Sequence, residues 1–338
     1  MIPGKIRFAV IGYGHIGRRH ADLIRAREEC ELVAICDTRS PADPGDYPAG
    51  VPFFGEEDEL MAQDFDVLCV ATPNGLHERH AIKALTAGHH VLIEKPMALT
   101  AEACERIIRA AEERQRQVFC VMQNRYSGPS VWLKALLEQK GLGRIFLVTV
   151  NCFWNRDERY YRKGDWRGSR DLDGGVLFTQ FSHFIDSLLW LFGDIENIEA
   201  QFRNFSHSGL TDFADSGTVS FSWRQGGIGN LNFTTSVWLK NLESSLTVIG
   251  EKGTVKISGQ YMDEIEICHV AGHEMPEGLK LPSPTLLPGQ KKSVSNHTYI
   301  FENIVAVLKR GGRPDIDPRE AGRIVATIEK IYSRKQDI

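Results

Sequence analysis

Between Ile6 and about Gln123 the chain alternates short apolar runs with longer charged segments whose apolar residues recur at helical spacing. The runs are Ile6 to Ile11, Leu32 to Cys36, Val67 to Ala71, His90 to Ile93 and Val118 to Met122. They are apolar nearly throughout, as strands covered on both faces must be. Helices are predicted over Ile16 to Glu28, Gly75 to Ala87 and Ala101 to Gln115, the last opened by Thr100 and Glu102 as first-turn residues. Strand and helix in strict alternation predict an α/β, doubly wound parallel sheet.

After Arg125 the texture changes. A helix near Val131 to Gln139 leads to a strand over Ile145 to Cys152, a polar-aromatic loop to about Asp173, and one apolar helix over Val176 to Phe192. From Ile195 to Ile267 the pattern is alternating, with turn glycines at Gly217, Gly226, Gly227, Gly250 and Gly253, which predicts an open, mostly antiparallel sheet in an α+β domain. The three prolines between Leu281 and Gly289 predict a loop, and helices near Thr298 to Lys309 and Arg319 to Lys335 finish the chain. The expected division is 1–123 and 124–338, two cores being what a chain of 338 residues usually needs.

A formal net charge of -4, with no block of lysine and arginine, gives no pull toward nucleic acid or anionic membranes. No segment reaches the ~18 apolar residues of a membrane span. The apolar run after Met1 is too short for a secretory signal. The seven cysteines are scattered and never spaced as C-x-x-C, so they read as buried thiols in a reducing, cytoplasmic setting. His77 and His80 stand three apart on a predicted helix, but no third ligand is evident, and no metal is expected.

Gly12-Tyr13-Gly14-His15-Ile16-Gly17 is G-x-G-x-x-G placed directly after a strand and opening a helix. Gly12 permits the tight turn, Gly14 lets the backbone approach a pyrophosphate, and Gly17 lets helix and strand pack closely. The helix start at His15 and Ile16 offers amides to the anion. Asp37 ends the second strand twenty positions past Gly17, where a carboxylate accepts from both ribose hydroxyls and repels a 2′-phosphate. Together these predict a Rossmann domain that binds NAD. Arg39, two residues on, is the feature that keeps NADP as the alternative.

Thr72-Pro73-Asn74 follows the third apolar run and Glu94-Lys95-Pro96 the fourth, both at the carboxyl edge where open α/β sheets bind ligands. With the glycine motif they resemble the Gfo/Idh/MocA oxidoreductase family. The resemblance covers essentially the whole chain and implies a lysine beside the reacting carbinol, Lys95, and a histidine from the second domain. The family pattern G-G-x-x-x-D-x-x-x-H-x-x-D reads here from Gly174 to Asp186, with His183 in the histidine position and Thr179 where many members have aspartate. The implied mechanism has His183 take the hydroxyl proton, Lys95 donate to the same oxygen, and hydride pass to nicotinamide. Thr72, Asn74, His77 and Glu94 are expected on the cofactor side.

Gln123, Arg125 and Tyr126, then Arg156, Tyr160, Trp166 and Arg167, with Thr179 and Gln180, supply arginines for carboxylate or phosphate and aromatic faces for a sugar or base. Their order resembles the branch of the family that oxidises C3 of UDP-N-acetylglucosaminuronic acid, for bacterial surface polysaccharide. Another sugar or cyclitol dehydrogenase, a redox-neutral NAD-dependent glycosidase and a noncatalytic NAD(H)-binding regulator are the alternatives. The open sheet, and the resemblance, imply a homotetramer or dimer.

Overall fold

The computed structural model describes residues 2–39, 47–162, 166–259, 261–276 and 296–337. Each apolar run of the first half is a strand. In chain order the elements are β1 (Ile6–Ile11), α1 (His15–Arg25), β2 (Cys30–Cys36), β3 (Phe53–Phe54), α2 (Glu57–Met61), β4 (Val67–Val70), α3 (His77–Ala87), β5 (His90–Ile93), α4 (Ala101–Arg114) and β6 (Val118–Cys120). The six strands pair in parallel in the order β3-β2-β1-β4-β5-β6, the doubly wound arrangement expected from the sequence. Val67, Leu68, Cys69 and Val70 of β4 are all buried, because helices cover both faces of a parallel sheet. Thr100 caps α4, its hydroxyl accepting from Ala103 N at 3.1 Å. β3 and α2 carry no period long enough to be read from sequence.

The second half contains α5 (Gly128–Glu138), β7 (Ile145–Phe153), α6 (Glu158–Tyr161), α7 (Val176–Thr179), α8 (Ser182–Phe192), β8 (Ile195–Arg203), β9 (Ser216–Trp223), β10 (Ile228–Thr234), β11 (Glu243–Gly250), β12 (Gly253–Ser258) and β13 (Glu264–Val270). The chain ends in α9 (His297–Arg310), α10 (Pro318–Ser333) and β14 (Lys335–Asp337). The second sheet runs β13-β12-β11-β7-β10-β9-β8-β14, antiparallel except where β7 pairs β10 and where β8 pairs β14. One face buries Val148, Val150, Phe221, Leu231, Phe233, Leu246 and Val248. Against it Phe181 packs on Trp154 and Phe233, and Phe192 on Trp223. The other face is open: Asn230 and Thr149 share a cross-strand row, Asn232 and Asn151 the next, and Ile228, Leu147 and Ile249 a third.

Contacts divide the chain into one unit of residues 1–121 and 286–325 and another of 122–285 and 326–338. Sequence reading places 124–338 together, whereas α9 lies in the first unit. Its Phe301 ring packs on Phe8 and His20, and Arg27 donates to Thr298 O at 2.8 Å. An amphipathic helix carries no signal for which core it joins. The expected helix from Val176 to Phe192 is also interrupted, at Gln180 and Phe181. The proline-containing stretch from Leu281 to Gly289 lies outside the described residues.

Burial holds the ring of His80 and that of His90 neutral, with pKa values near 4 in both cases. Glu57, 3.2 Å from His80, raises its value but is outweighed by desolvation. Gln117 N donates to His90 Nδ1 at 2.8 Å, a bond only an unprotonated nitrogen accepts. A depressed folded-state value means the unfolded chain binds protons first, so this stabilisation is complete above about pH 6.5 and is lost as the pH falls toward 4. The two rings together should account for roughly 2–3 kcal/mol of lost stability between pH 7.5 and 5.5. Urea unfolding at both values checks this, and His90→Asn should shrink the difference; an equal difference in wild type and variant would remove His90 from the account.

Candidate active site

The strand order reverses between β1 and β4, and the loops at their carboxyl ends meet there. Gly12 has φ +86, and a Cβ on it would lie 2.6 Å from the Ala71 carbonyl carbon. A Cβ on Gly17 would lie 1.9 Å from Gly12 O, so neither position admits a side chain. Gly14 differs: its Cβ would meet nothing within 4 Å, and it caps α1 just before His15 and Ile16. The tight glycines build the turn, and the open one leaves backbone exposed at a helix N-terminus, which fits a pyrophosphate.

At the end of β2, Asp37 Oδ2 accepts from Tyr13 N at 2.7 Å and Oδ1 from Arg39 N at 2.9 Å. Each carboxylate oxygen keeps a further lone pair, so the fixed carboxylate still suits two ribose hydroxyls. The Arg39 side chain is 74% exposed, with its Nε 3.7 Å from Asp37.

At the ends of β4 and β5, His77 joins two loops. Its Nδ1 lies 2.7 Å from Pro96 O and its Nε2 2.9 Å from Thr72 O. A neutral imidazole has one N–H and holds one of these carbonyls at a time, whereas the imidazolium holds both. Burial opposes the charged form and the two carbonyls favour it. Asn74 is buried and begins the short turn leading into α3. The Lys95-Pro96 bond is cis. Glu94 is buried beneath this edge, its Oε1 2.8 Å from His20 Nε2 and 3.6 Å from His297 Nε2, and its Oε2 accepting from Lys95 N at 3.2 Å. Burial pushes the Glu94 pKa up, but the two histidines prevail and hold it well below the usual carboxylate range. Sequence reading missed His20 and His297; the signal for His20 was its place on the apolar side of α1, three residues past Gly17.

In the second unit, His183 sits in the first turn of α8, with its Nε2 3.0 Å from Gln123 Nε2. A nitrogen that accepts from the amide carries a lone pair, the state a general base needs, and the amide can rotate to accept once that nitrogen is protonated. Arg125 is engaged elsewhere: its Nε and Nη2 bind the buried Asp186 at 2.9 and 2.6 Å. Tyr126 ends the same short turn. Thr179 donates to Asp173 O at 3.0 Å and to its carboxylate. Gln180 accepts from Arg156 Nε at 3.1 Å and donates to Tyr160. Arg156 and Arg167 both lie over the Tyr160 ring, at 5.2 and 4.6 Å from its centre, and Trp166 lies under Arg167 at 4.9 Å. Among the described residues no group of three or more histidine, cysteine or acidic side chains could hold a metal, and no helix is long and apolar enough to cross a membrane.

Residues 6–122 match the model of the oxidoreductase family with NAD-binding Rossmann fold, and 131–256 the GFO/IDH/MocA C-terminal domain. The fold is similar to the WlbA dehydrogenase from Bordetella pertussis, solved with NADH and UDP-GlcNAcA, at 32% identity and TM-score 0.85, over 99% of this chain and 96% of that one. WlbA from Chromobacterium violaceum, solved with the same two molecules, is 31% identical at TM-score 0.86, over 99% and 94%. Among curated proteins, scyllo-inositol 2-dehydrogenase (NADP(+)) IolW of Bacillus subtilis is 30% identical over 189 residues, 56% of this chain and 52% of that protein. The chain thus spans about half the length of such curated relatives.

With Asp37 held by two backbone amides, Asp37→Ala removes the carboxylate that opposes a 2′-phosphate, a repulsion on the order of 1–4 kcal/mol. The ratio of NAD to NADP affinity should fall about tenfold or more. Titration of both cofactors checks this, and an unchanged ratio refutes the assignment.

Proposed function

Because the chain belongs to the GFO/IDH/MocA oxidoreductase family, we propose that it oxidises the C3 hydroxyl of UDP-N-acetylglucosaminuronic acid to the 3-keto nucleotide sugar, a step toward bacterial surface polysaccharide. The carrying observation is the likeness, over nearly the full length of both chains, to two dehydrogenases solved with NADH and that nucleotide sugar. When bound, NAD supplies the hydride acceptor. Gly12, Gly14, His15, Ile16 and Gly17 hold its pyrophosphate, and Asp37 its ribose. Thr72, Asn74 and His77 form the loop beside it. His183 takes the proton of the reacting hydroxyl through Nε2, with Gln123 turning its amide to stabilise the resulting imidazolium. Lys95 donates to the same oxygen. The setting is the reducing cytoplasm, a reading supported by seven buried cysteines that are all free thiols.

The likeness to an inositol dehydrogenase supports a second reading, oxidation of a cyclitol. Mixing the protein with NAD and either UDP-N-acetylglucosaminuronic acid or scyllo-inositol, with and without a 2-oxo acid to reoxidise tightly held NADH, separates the two by absorbance at 340 nm and by mass of the product. A 3-keto nucleotide sugar supports the first reading, and turnover of inositol alone replaces it with the second. His183→Asn should lower turnover about 10²- to 10⁴-fold while leaving NADH binding intact; near-normal turnover removes it as the base.

The open face of the second sheet, with Ile228 62% exposed and Ile249 36% exposed, supports self-association as dimer or tetramer. Ile228→Glu should shift the sedimentation profile toward monomer, and a wild-type protein already monomeric at micromolar concentration refutes the assembly.

A further inference from the structure

A guanidinium withdrawn from water needs a counter-charge, or its burial is costly. Arg125 has one, Asp186. Arg156 and Arg167 do not: among the described residues neither forms an ion pair. Arg156 gives its Nε to Gln180 Oε1 at 3.1 Å and its Nη1 to Asn155 O at 2.6 Å and Asn241 Oδ1 at 3.2 Å, all neutral acceptors. That leaves Nη2. Arg167 has a buried Nε with no hydrogen-bond partner among the described residues. Asp173 feels its charge, but the Asp173 oxygens are engaged by Gly168 N and Thr179.

The two cations also oppose each other, Arg167 disfavouring the charge on Arg156. What holds them is aromatic: Arg156 lies 4.7 Å from the centre of Trp154 and both lie over Tyr160. Stacking on ring faces fixes the guanidinium planes and leaves their edges for a ligand. An arrangement that desolvates Arg156, stacks both guanidinium groups on rings and gives neither an ion pair among the described residues is complementary to an anion brought from outside. Gln180 ties Arg156 to the turn that ends three residues before His183, which sets this charge close along the chain to the proposed base.

We infer that Arg156 and Arg167 form the subsite for an oxyanion of the substrate, namely the sugar carboxylate, so that the chain selects a uronic acid over its neutral counterpart. This rests on the nucleotide-sugar reading above. The diphosphate offers similar chemistry, and the two sources separate by comparing UDP-N-acetylglucosaminuronic acid with UDP-N-acetylglucosamine, which keeps the diphosphate and lacks the carboxylate.

The experiment is calorimetric titration of both nucleotide sugars into the NADH-bound protein, for wild type, Arg156→Gln and Arg167→Gln. Wild type should prefer the acidic sugar by about tenfold or more, the effect of a charge-assisted pair. Each variant should lose that preference while binding the neutral sugar within about threefold of wild type. Arg167→Gln breaks no hydrogen bond among the described residues, so it keeps the test open if Arg156→Gln fails to fold. No preference in wild type, a preference that survives in Arg167→Gln, or equal loss of both sugars, which assigns the diphosphate, overturns the inference. Turnover at 340 nm is read separately: acidic preference erased by the variants with no oxidation by wild type upholds the subsite and refutes the proposed reaction.

Discussion

A carboxylate in the interior of the first unit constrains much that surrounds it. Glu94 follows β5 at a point from which water is excluded, and an ionised group there persists only if donors surround it. They come from three places: His20 on α1, His297 on α9 and the backbone N–H of Lys95. α1 is the helix that the glycine turn launches, and it presents its buried face to Glu94 through His20. α9 comes from just over two hundred residues away in sequence. Its membership of the first unit is therefore a requirement of charge as much as of apolar packing, with Phe301 supplying the second. The backbone at Lys95 is fixed by this arrangement from beneath and by His77 from the side.

The parallel sheet was legible because its signals are local. Runs such as Val67 to Val70 need only be apolar and short, and Gly12 and Gly17 occupy positions where a Cβ has nowhere to go. The loss of legibility begins where distant side chains decide. Residues 176–192 are apolar enough for one helix, yet Thr179 bonds to Asp173, Gln180 to Arg156 and Tyr160, and Phe181 packs on Trp154, so the backbone turns at Gln180 and restarts as α8. That restart is what puts His183 in a first helical turn. β14 is three residues long, and only its pairing with β8 makes it a strand.

Thr179 illustrates a similar limit within the site. Its position matches an aspartate in many members of the family, and the substitution alone does not say what replaces the missing charge. Here the hydroxyl is spent on Asp173, which burial pushes toward its neutral form. Thr179 thus helps to satisfy a buried acid rather than adding one beside His183, and the group given to His183 is the uncharged Gln123 amide. An amide can meet either protonation state of an imidazole, whereas a carboxylate favours the protonated one. An uncharged partner of that kind suits a base that must be unprotonated before the reaction and protonated after it.

Arginine content alone leaves the substrate open, because residue type does not reveal which charges are already neutralised. Arg125 and Arg156 read alike in sequence, both near aromatics and both in segments facing the same chemistry. In the fold, Arg125 is closed off by a two-point pair with Asp186, itself fully buried, and that pair ties the segment before α5 to α8. Arg156 is held as firmly, but by neutral oxygens and aromatic rings. The difference is one of charge balance. A protein interior tolerates a compensated cation as structure, while an uncompensated one is retained at a standing cost to stability. Such a cost is explicable where a ligand completes the balance, and binding is then strengthened because the chain has desolvated and ordered the cation in advance. The sign and placement of charge left unmatched among the described residues therefore say more about the substrate than the number of arginines does.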